Sequence, residues 1–472
     1  MSPQPAKIPA APATPVSRYS YYALAVLTLV NFLNYIDRQV LPAVAPVMQR
    51  ELGLTDTEIG GMEAALLLSF TVLAPLFGWL GDRYSRTKLM AAAAVVWSLA
   101  TGVSAWLDKS PFLPPAFHLH VPLFGVIAFS GLAAGLCFVR AVVGIGESSY
   151  STITPALIAD YFSMDRRATA LGIFQAAIPM GFALGFVAGA VLAHFFGWRI
   201  AFLLVGLPGL LLAAVVWRLR EPRRGEHDPL PSADSNDSPP TSWWQSIRKV
   251  FTTADWLLAT TGYTAVTFVL GAFATWATLM LARDKHMSAT AAAVVLGVVT
   301  LIAGAAGTFG GGWIADRVAS KRRNGYYLVC GISSLLAIVP AFLALSMHAP
   351  ILFLPAIFMA VALLFVNNAP FHAILVNSVA PSIRATAVAM NIVVIHVCGD
   401  VISRFGVGTL SDAIAAGNVT VIERFAGLLG LDARREHLTA ALLVVPLALF
   451  TSSFFFFWGA SRHRGSVESL SL

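Results

Sequence analysis

The sequence predicts an all-α polytopic membrane protein, with twelve transmembrane helices in two pseudo-symmetric six-helix bundles. Three observations carry this. Of the 472 residues, 57% are apolar and 12% charged, against a usual charged share of about 25%. The chain divides into apolar segments long enough to cross a bilayer. One hexamer pattern, Gly78-Trp-Leu-Gly-Asp-Arg83, returns as Gly312-Trp-Ile-Ala-Asp-Arg317.

The predicted spans are 21–48, 59–81, 88–107, 126–158, 168–195, 199–217, 256–281, 290–315, 325–346, 350–379, 385–412 and 438–460. Several exceed the roughly 20 residues needed to cross, so tilt or protruding ends are expected. Residues 1–18 are polar and rich in Pro and Ala and read as a disordered cytoplasmic tail. No short apolar segment with a cleavage site precedes the first helix, which is read as an uncleaved membrane signal. Residues 19–218 form the first bundle, 219–254 a cytoplasmic linker, 255–461 the second bundle and 462–472 a cytoplasmic tail. Within the linker, 219–242 are polar. Trp243-Trp-Gln-Ser-Ile-Arg-Lys-Val-Phe251 mixes aromatic and basic residues as an interfacial helix does. Residues 413–437 form a second polar stretch without a readable role.

The repeated hexamer ends the second and the eighth helix. A basic cluster follows each copy, Arg86-Thr-Lys88 and Lys321-Arg-Arg323. The same pattern at the same helix of each half marks a duplicated parallel unit, whose substrate site is expected near the midplane between the halves. Orientation follows from basic loop residues. With the N-terminus inside, twenty of the 31 Lys and Arg fall on the cytoplasmic side, eight on the other, and Arg38, Arg140 and Arg404 are embedded. Both termini are therefore expected in the cytoplasm. The net charge of +7 sits mainly in loops and does not indicate nucleic acid. Cys137, Cys330 and Cys398 lie in apolar segments and read as small buried hydrophobes, without disulfide or metal-ligand spacing. No nucleophile motif or phosphate-cradling loop is present, which argues against an enzyme or a bound cofactor.

Asn31-Phe-Leu-Asn-Tyr-Ile-Asp-Arg-Gln-Val-Leu41 places Asp37 and Arg38 inside the first span. Each charge costs roughly 3 kcal/mol at a helix centre, so intramembrane ionisable residues are candidates for function; the alternative is a pair that fixes helix packing. Adjacent helical residues point about 100° apart. Asp37 is therefore expected to turn toward Arg140 on the fourth helix, and Arg38 to face a central cavity. In Arg140-Ala-Val-Val-Gly-Ile-Gly-Glu147, positions 140, 144 and 147 share a face. Arg140 and Glu147 are separated by about 10 Å of rise, so each needs its own partner. Glu147 has no sequence-local cation, and a desolvated carboxylate favours its neutral form. It is a proton-carrier candidate, or a structural Glu bonded to Ser or Tyr.

Pro179-Met-Gly-Phe-Ala-Leu-Gly-Phe-Val-Ala-Gly189 repeats glycine every fourth residue, a close-packing face. Helix seven carries Tyr263, Phe268, Phe273 and Trp276, which line an apolar groove or face lipid. Helix ten holds Asn367, Asn368 and His372. On helix eleven His396 and Asp400 lie one turn apart, ahead of Arg404. A histidine in register with a carboxylate can exchange a proton near neutral pH, or serve only in packing.

Gly78-Trp-Leu-Gly-Asp-Arg-Tyr-Ser-Arg-Thr-Lys88 matches the loop signature of the major facilitator superfamily, which implies the major facilitator fold. In that signature Gly78, Asp82, Arg83 and Arg86, with Gly312, Asp316 and Arg317, are expected to act as cytoplasmic gates. Asn34-Tyr-Ile-Asp-Arg38, the run Arg140–Thr152 with Pro155 and Ile158-Ala-Asp160, Gly197-Trp-Arg199 and His396-Val-Cys-Gly-Asp400 together resemble the Spinster family within that superfamily. The resemblance implies a transporter of lysophospholipids or sphingosine-phosphate-type lipids, with proton coupling in some members. It assigns substrate binding or coupling to Asp37, Arg38, Arg140, Glu147 and His396. The chain departs from the family at Val401-Ile-Ser-Arg404, where many relatives have Ala-Gly-Ser-Pro, and at Thr278, where Pro is common.

The expectation is a monomeric secondary transporter of the bacterial inner membrane, moving an amphipathic anionic or zwitterionic lipid-like solute by proton-coupled alternating access. Arg38 and Arg140 would attract the headgroup, and Asp37 or Glu147 would take the proton. His396, Asp400, Asn368 and Trp276 complete the expected site, with aromatics of helices five, seven and ten against the apolar part. The alternative is a proton-coupled transporter of a small organic anion or drug-like solute. A transport-silent sensor would need a signalling domain that the short loops cannot contain.

Overall fold

A computed structural model describes residues 17–121, 125–162, 164–223, 243–379 and 383–463. The tail expected over 1–18 falls almost wholly outside them, as do most of the linker and most of the 462–472 tail. The first half comprises α1 (Arg18–Leu52), α2 (Asp56–Arg83), α3 (Arg86–Ser104), a hairpin of β1 (Phe117–Val121) and β2 (Gly125–Phe129), α4 (Gly131–Tyr161), α5 (Met164–Phe196) and α6 (Trp198–Trp217). After α7 (Trp243–Thr252) the second half runs α8 (Ala254–Arg283), α9 (Ala289–Ala319), α10 (Gly325–Ser346), α11 (Pro350–Phe365), α12 (Asn368–Asn377), α13 (Arg384–Val394), a π-turn (Ile395–Val401), α14 (Ile402–Ala415), α15 (Thr420–Leu428), α16 (His437–Ala441) and α17 (Val444–Arg462).

Eleven stretches among the described residues are long and apolar enough to cross a membrane. With α1 they make twelve. The 35 residues of α1 span about 52 Å at 1.5 Å each, but Asn31, Asn34, Asp37, Arg38 and Gln39 reduce its apolar character. One predicted span needs correction, and three others keep their place but carry local irregularities. The fourth begins at Gly131, because Gly125–Phe129 pairs antiparallel with β1 and Ser130 caps the helix from outside. The β-branched Val126 and Ile127 and the aromatic Phe129 suit a strand. The tenth breaks between α11 and α12, where Asn367 Nδ2 bonds the Leu363 and Leu364 carbonyls. The eleventh contains the π-turn, and the twelfth is interrupted at Leu442–Leu443. Of the three cysteines expected to be buried, Cys330 is buried, Cys137 is partly buried and Cys398 is exposed.

Within the first half α1 packs on α5, α2 on α4, and α3 on α4 and α6; in the second, α17 packs on α8 and α10, and α11 on α9 and α10. The α1–α5 contact needs its glycines. A Cβ at Gly181 would stand 2.6 Å from the Phe32 carbonyl oxygen, and one at Gly185 would stand 2.7 Å from that of Ile36.

The halves meet through α2 with α14 and the π-turn, α5 with α9, and α1 with α8. Two ends of the molecule can be told apart, one carrying Asp56 and the other Arg83. Contact is dense toward Asp56, where a Cβ on Gly60 would meet Arg404 O at 2.3 Å and one on Gly297 would meet Ala183 O at 2.7 Å. Toward Arg83, α2 touches α13 only sparsely. A Cβ on Gly172 or Gly310 would meet nothing within 4 Å. The halves are shut at the Asp56 end and parted at the other.

Gly185→Val should lower stability by about 1–3 kcal/mol, the usual cost of overpacking. Gly172→Ala, inside α5 with open space at its Cβ, should not destabilise and should gain up to about 1 kcal/mol. Thermal unfolding of the two variants in detergent checks the contrast.

Candidate functional site

Three layers of buried polar groups run from the Asp56 end to the centre. The outermost is centred on Asp56, the first residue of α2. Its carboxylate accepts from Arg283 at 2.9 and 3.0 Å, from Ser411 at 2.7 Å and from Gln49 at 2.7 Å. Asp412 accepts from the backbone N–H groups of Asp56 and Thr57 at 3.2 and 2.7 Å. A helix N-terminus leaves such donors free and favours a carboxylate, so α14 caps α2 across the interface. Nearby, Lys285 donates to the Leu345 carbonyl at 2.6 Å. Burial pushes its ammonium below the ordinary lysine value, against the opposing charges of Glu436 and Asp284.

One turn and more deeper, Glu63 of α2 accepts from Arg140 of α4 at 3.0 Å and from Arg404 of α14 at 2.6 Å. Arg404 also donates to Thr275 at 3.1 Å, and its carbonyl accepts from Trp276 Nε1 at 3.2 Å. One carboxylate thus joins an arginine from each half. Both Arg140 and Glu63 are almost fully buried.

In the central layer Arg38 Nε donates to Glu147 at 2.6 Å. The guanidinium lies 4.5 Å from the centre of the Phe70 ring and 5.0 Å from that of Tyr35, close enough for cation–π attraction. The other side of Phe70 leads to the second half, with its ring edge-on to His396 at 6.4 Å. His396 Nδ1 is 2.7 Å from Asp400 Oδ2. Both sit in the π-turn, a distortion often found at functional sites. The turn lies tight on α8, because a Cβ at Gly399 would meet Thr267 Oγ1 at 2.5 Å. Arg38 retains 15% side-chain exposure, Glu147 none, and His396 26%. The accessible polar atoms of this layer are thus mainly those of Arg38 and of the His396–Asp400 pair.

Asp37 does not reach Arg140. Its Oδ2 accepts from Thr101 on α3 at 2.7 Å, and no ion pair joins it to Arg140, whose charge acts on it only at longer range. The reason is Glu63, a nearer carboxylate on the helix facing α4. Arg140 and Glu147 do have separate partners, and Glu147 pairs with Arg38, not with a Ser or Tyr hydroxyl. Trp276, expected to hold solute, is fully buried and wedged between Gly60 and Gly408. Tyr263 is also buried, stacked 3.7 Å from Phe371. Asn368 accepts from Tyr263 at 2.8 Å and donates to Thr308 at 3.4 Å, within its own half.

The gate motifs also bond within their own halves. Arg83 stacks on Trp79 and Arg317 on Trp313, each at 4.2 Å. Arg86 pairs with Asp160 at 2.6 Å. Asp316 accepts from Tyr326 at 3.1 Å. Gly78 faces Thr152 and Gly312 faces Ala369. The Asp82 side chain lies outside those described. Sequence reading missed Glu63 and Phe70. The available signal was Arg404, an embedded arginine to which no carboxylate is matched in the sequence.

The family model for the Major Facilitator Superfamily matches residues 27–399. Protein spinster homolog 1 of Homo sapiens is 34% identical over 404 residues, covering 80% of this chain and 71% of that protein. Protein spinster homolog 3 of Danio rerio is 31% identical over 401 residues, covering 82% and 76%. Among solved structures, a bacterial homolog to the human lysosomal transporter Spinster, in an inward-facing and occupied conformation, superposes with a TM-score of 0.77 at 22% identity, covering 96% of this chain and 99% of that one. A D-xylose-proton symporter gives 0.69 at 17% identity, covering 93% and 97%.

Removing one partner of a buried pair costs about 3–5 kcal/mol, because the remaining charge is left uncompensated. Glu63→Gln should lose at least that much. Arg404→Gln should lose less, since Arg140 still neutralises Glu63. Equal losses in thermal or denaturant unfolding would contradict the shared role of Glu63.

Proposed function

Since this chain belongs to the Spinster family of the major facilitator superfamily, and is a secondary transporter working by alternating access, we propose that it moves an amphipathic anionic or zwitterionic lipid-like solute coupled to protons. The observation that carries this reading is the surroundings of Arg38. A partly accessible guanidinium, ringed by Phe70 and Tyr35, lies between halves that part toward the Arg83 end. A phosphate or carboxylate headgroup would bond Arg38, and its chain would leave through the side between α2 and α13.

Proton coupling then has a direct physical form. Glu147 neutralises Arg38 in this conformation. A proton on Glu147 would free the guanidinium for an anionic headgroup, and loss of that proton would restore the pair and expel the solute. Asp37, held by a hydroxyl and not by a cation, is the second carboxylate able to carry a proton. His396 and Asp400 would contact the solute from the second half.

The excess of basic residues at the Arg83 end supports placing that end in the cytoplasm. The conformation described is then inward-facing, with residues 19–218 and 255–461 as the two moving bodies. Both termini would lie in the cytoplasm of a bacterial inner membrane, and the transporter would act as a monomer.

Uptake of a labelled lysophospholipid into proteoliposomes under an imposed pH gradient tests the reading. Arg38→Gln should reduce uptake roughly tenfold or more, as loss of a charge-assisted bond implies. Glu147→Gln should uncouple transport from the gradient. If Asp37→Asn and Glu147→Gln both leave pH-driven uptake unchanged, the coupling is wrong. If small organic acids move and lysolipids do not, the alternative of a small-anion transporter holds.

A further inference from the structure

A second recess lies at the Arg83 end, on the flank of the second half. It is a groove of about 500 Å³ between α9, α10 and α11, and no residue of the first half lines it. That volume falls within the range of small-molecule sites. Its walls are apolar, and Ile314, Ile332 and Leu336 are 43–56% exposed, so the groove opens outward from the bundle. Its mouth is basic, formed by Arg317, Lys321 and Arg322.

Two further observations set the depth and the charge. Trp313 is 59% exposed and Arg317 lies over its ring at 4.2 Å. Exposed Trp beside Arg marks the level of lipid headgroups, so the basic mouth sits at headgroup depth and the apolar walls run into the hydrocarbon. Among the described residues, no carboxylate lies within 4 Å of the Arg317, Lys321 or Arg322 side chains. The matching cluster of the first half differs, because there Arg86 is held by Asp160 at 2.6 Å and by Glu221 at 2.9 Å through its backbone N–H. The general excess of basic residues at this end explains three cations. It does not explain why, among the described residues, no carboxylate pairs with them at the mouth of an apolar groove. Basic pockets between membrane helices bind anionic headgroups, at about 1 kcal/mol per Lys or Arg.

We propose that this groove binds one anionic phospholipid of the surrounding bilayer, separate from the transported solute. Its phosphodiester meets Lys321 and Arg322 beside Arg317, and an acyl chain lies along Ile332 and Leu336. The site does not depend on the solute reading above.

Native mass spectrometry of the full chain, titrated with phosphatidylglycerol or phosphatidylcholine, tests it. Lys321→Gln/Arg322→Gln should weaken phosphatidylglycerol binding roughly tenfold or more, with phosphatidylcholine binding unchanged. Leu336→Trp, which fills the groove without altering charge, should weaken it too. Arg248→Gln/Lys249→Gln, a basic pair on α7 outside the groove, should leave it intact. The proposal is overturned if the Lys321/Arg322 variant binds phosphatidylglycerol as the parent does, or if the α7 variant loses as much. It is also overturned if Arg38→Gln abolishes binding while the groove variants do not, since the lipid would then sit in the central site.

Discussion

The innermost tie at the closed end of this transporter is one carboxylate shared by two arginines. Glu63 holds Arg140 from its own half and Arg404 from the other. Two unit charges 4 Å apart attract by about 4 kcal/mol at an effective dielectric of 20. Desolvation opposes this gain, so a buried ion pair is weak evidence for net stability. Its consequence is conditional. While Glu63 stays between the arginines the halves are joined. Were the halves to part there, one arginine would lose its carboxylate and would have to be hydrated instead.

The other layers fit around that constraint. Asp56 and Asp412 close the interface beyond Glu63 by capping and by the Arg283 fork. On the inner side Glu63 occupies Arg140 and so leaves Arg38 to Glu147. Of the two arginines expected to attract a headgroup, Arg38 is therefore partly accessible and Arg140 is buried. Phe70 carries the contact from Arg38 to His396, so the polar groups of the two halves meet across a ring. A ring can slide or separate at less cost than a buried ion pair, which suits a site that must open and close.

Much of the fold was legible because membrane spans leave long apolar runs and because the repeated Gly-Trp hexamer reports the duplication directly. The glycines at 181 and 185 announced close packing, and the structure supplies α1 as the partner. The break in the tenth helix and the π-turn in the eleventh were not legible. An apolar run has the same composition whether its hydrogen bonds follow an α or a π pattern. The strand at Gly125–Phe129 was hidden for the same reason. At the site, the embedded charges could be named but not paired. Spacing along one helix says which residues share a face, and says little about which neighbouring helix supplies the partner. Glu63 was overlooked as a lone charge near the start of a span. The departure at Val401-Ile-Ser-Arg404 marked the other end of its bridge without identifying the partner.

A distance measurement across the Asp56 end tests the bridge most directly. Spin labels at Lys109→Cys and Gly427→Cys, in a background with Cys398 replaced, report the separation of the halves by double electron–electron resonance. Both positions are exposed. With Glu63 in place the distribution should show one short population. Glu63→Gln, in protein that remains folded, should add a longer population as the halves separate. An unchanged distribution in the Glu63→Gln variant would contradict the claim that this carboxylate holds the two halves together.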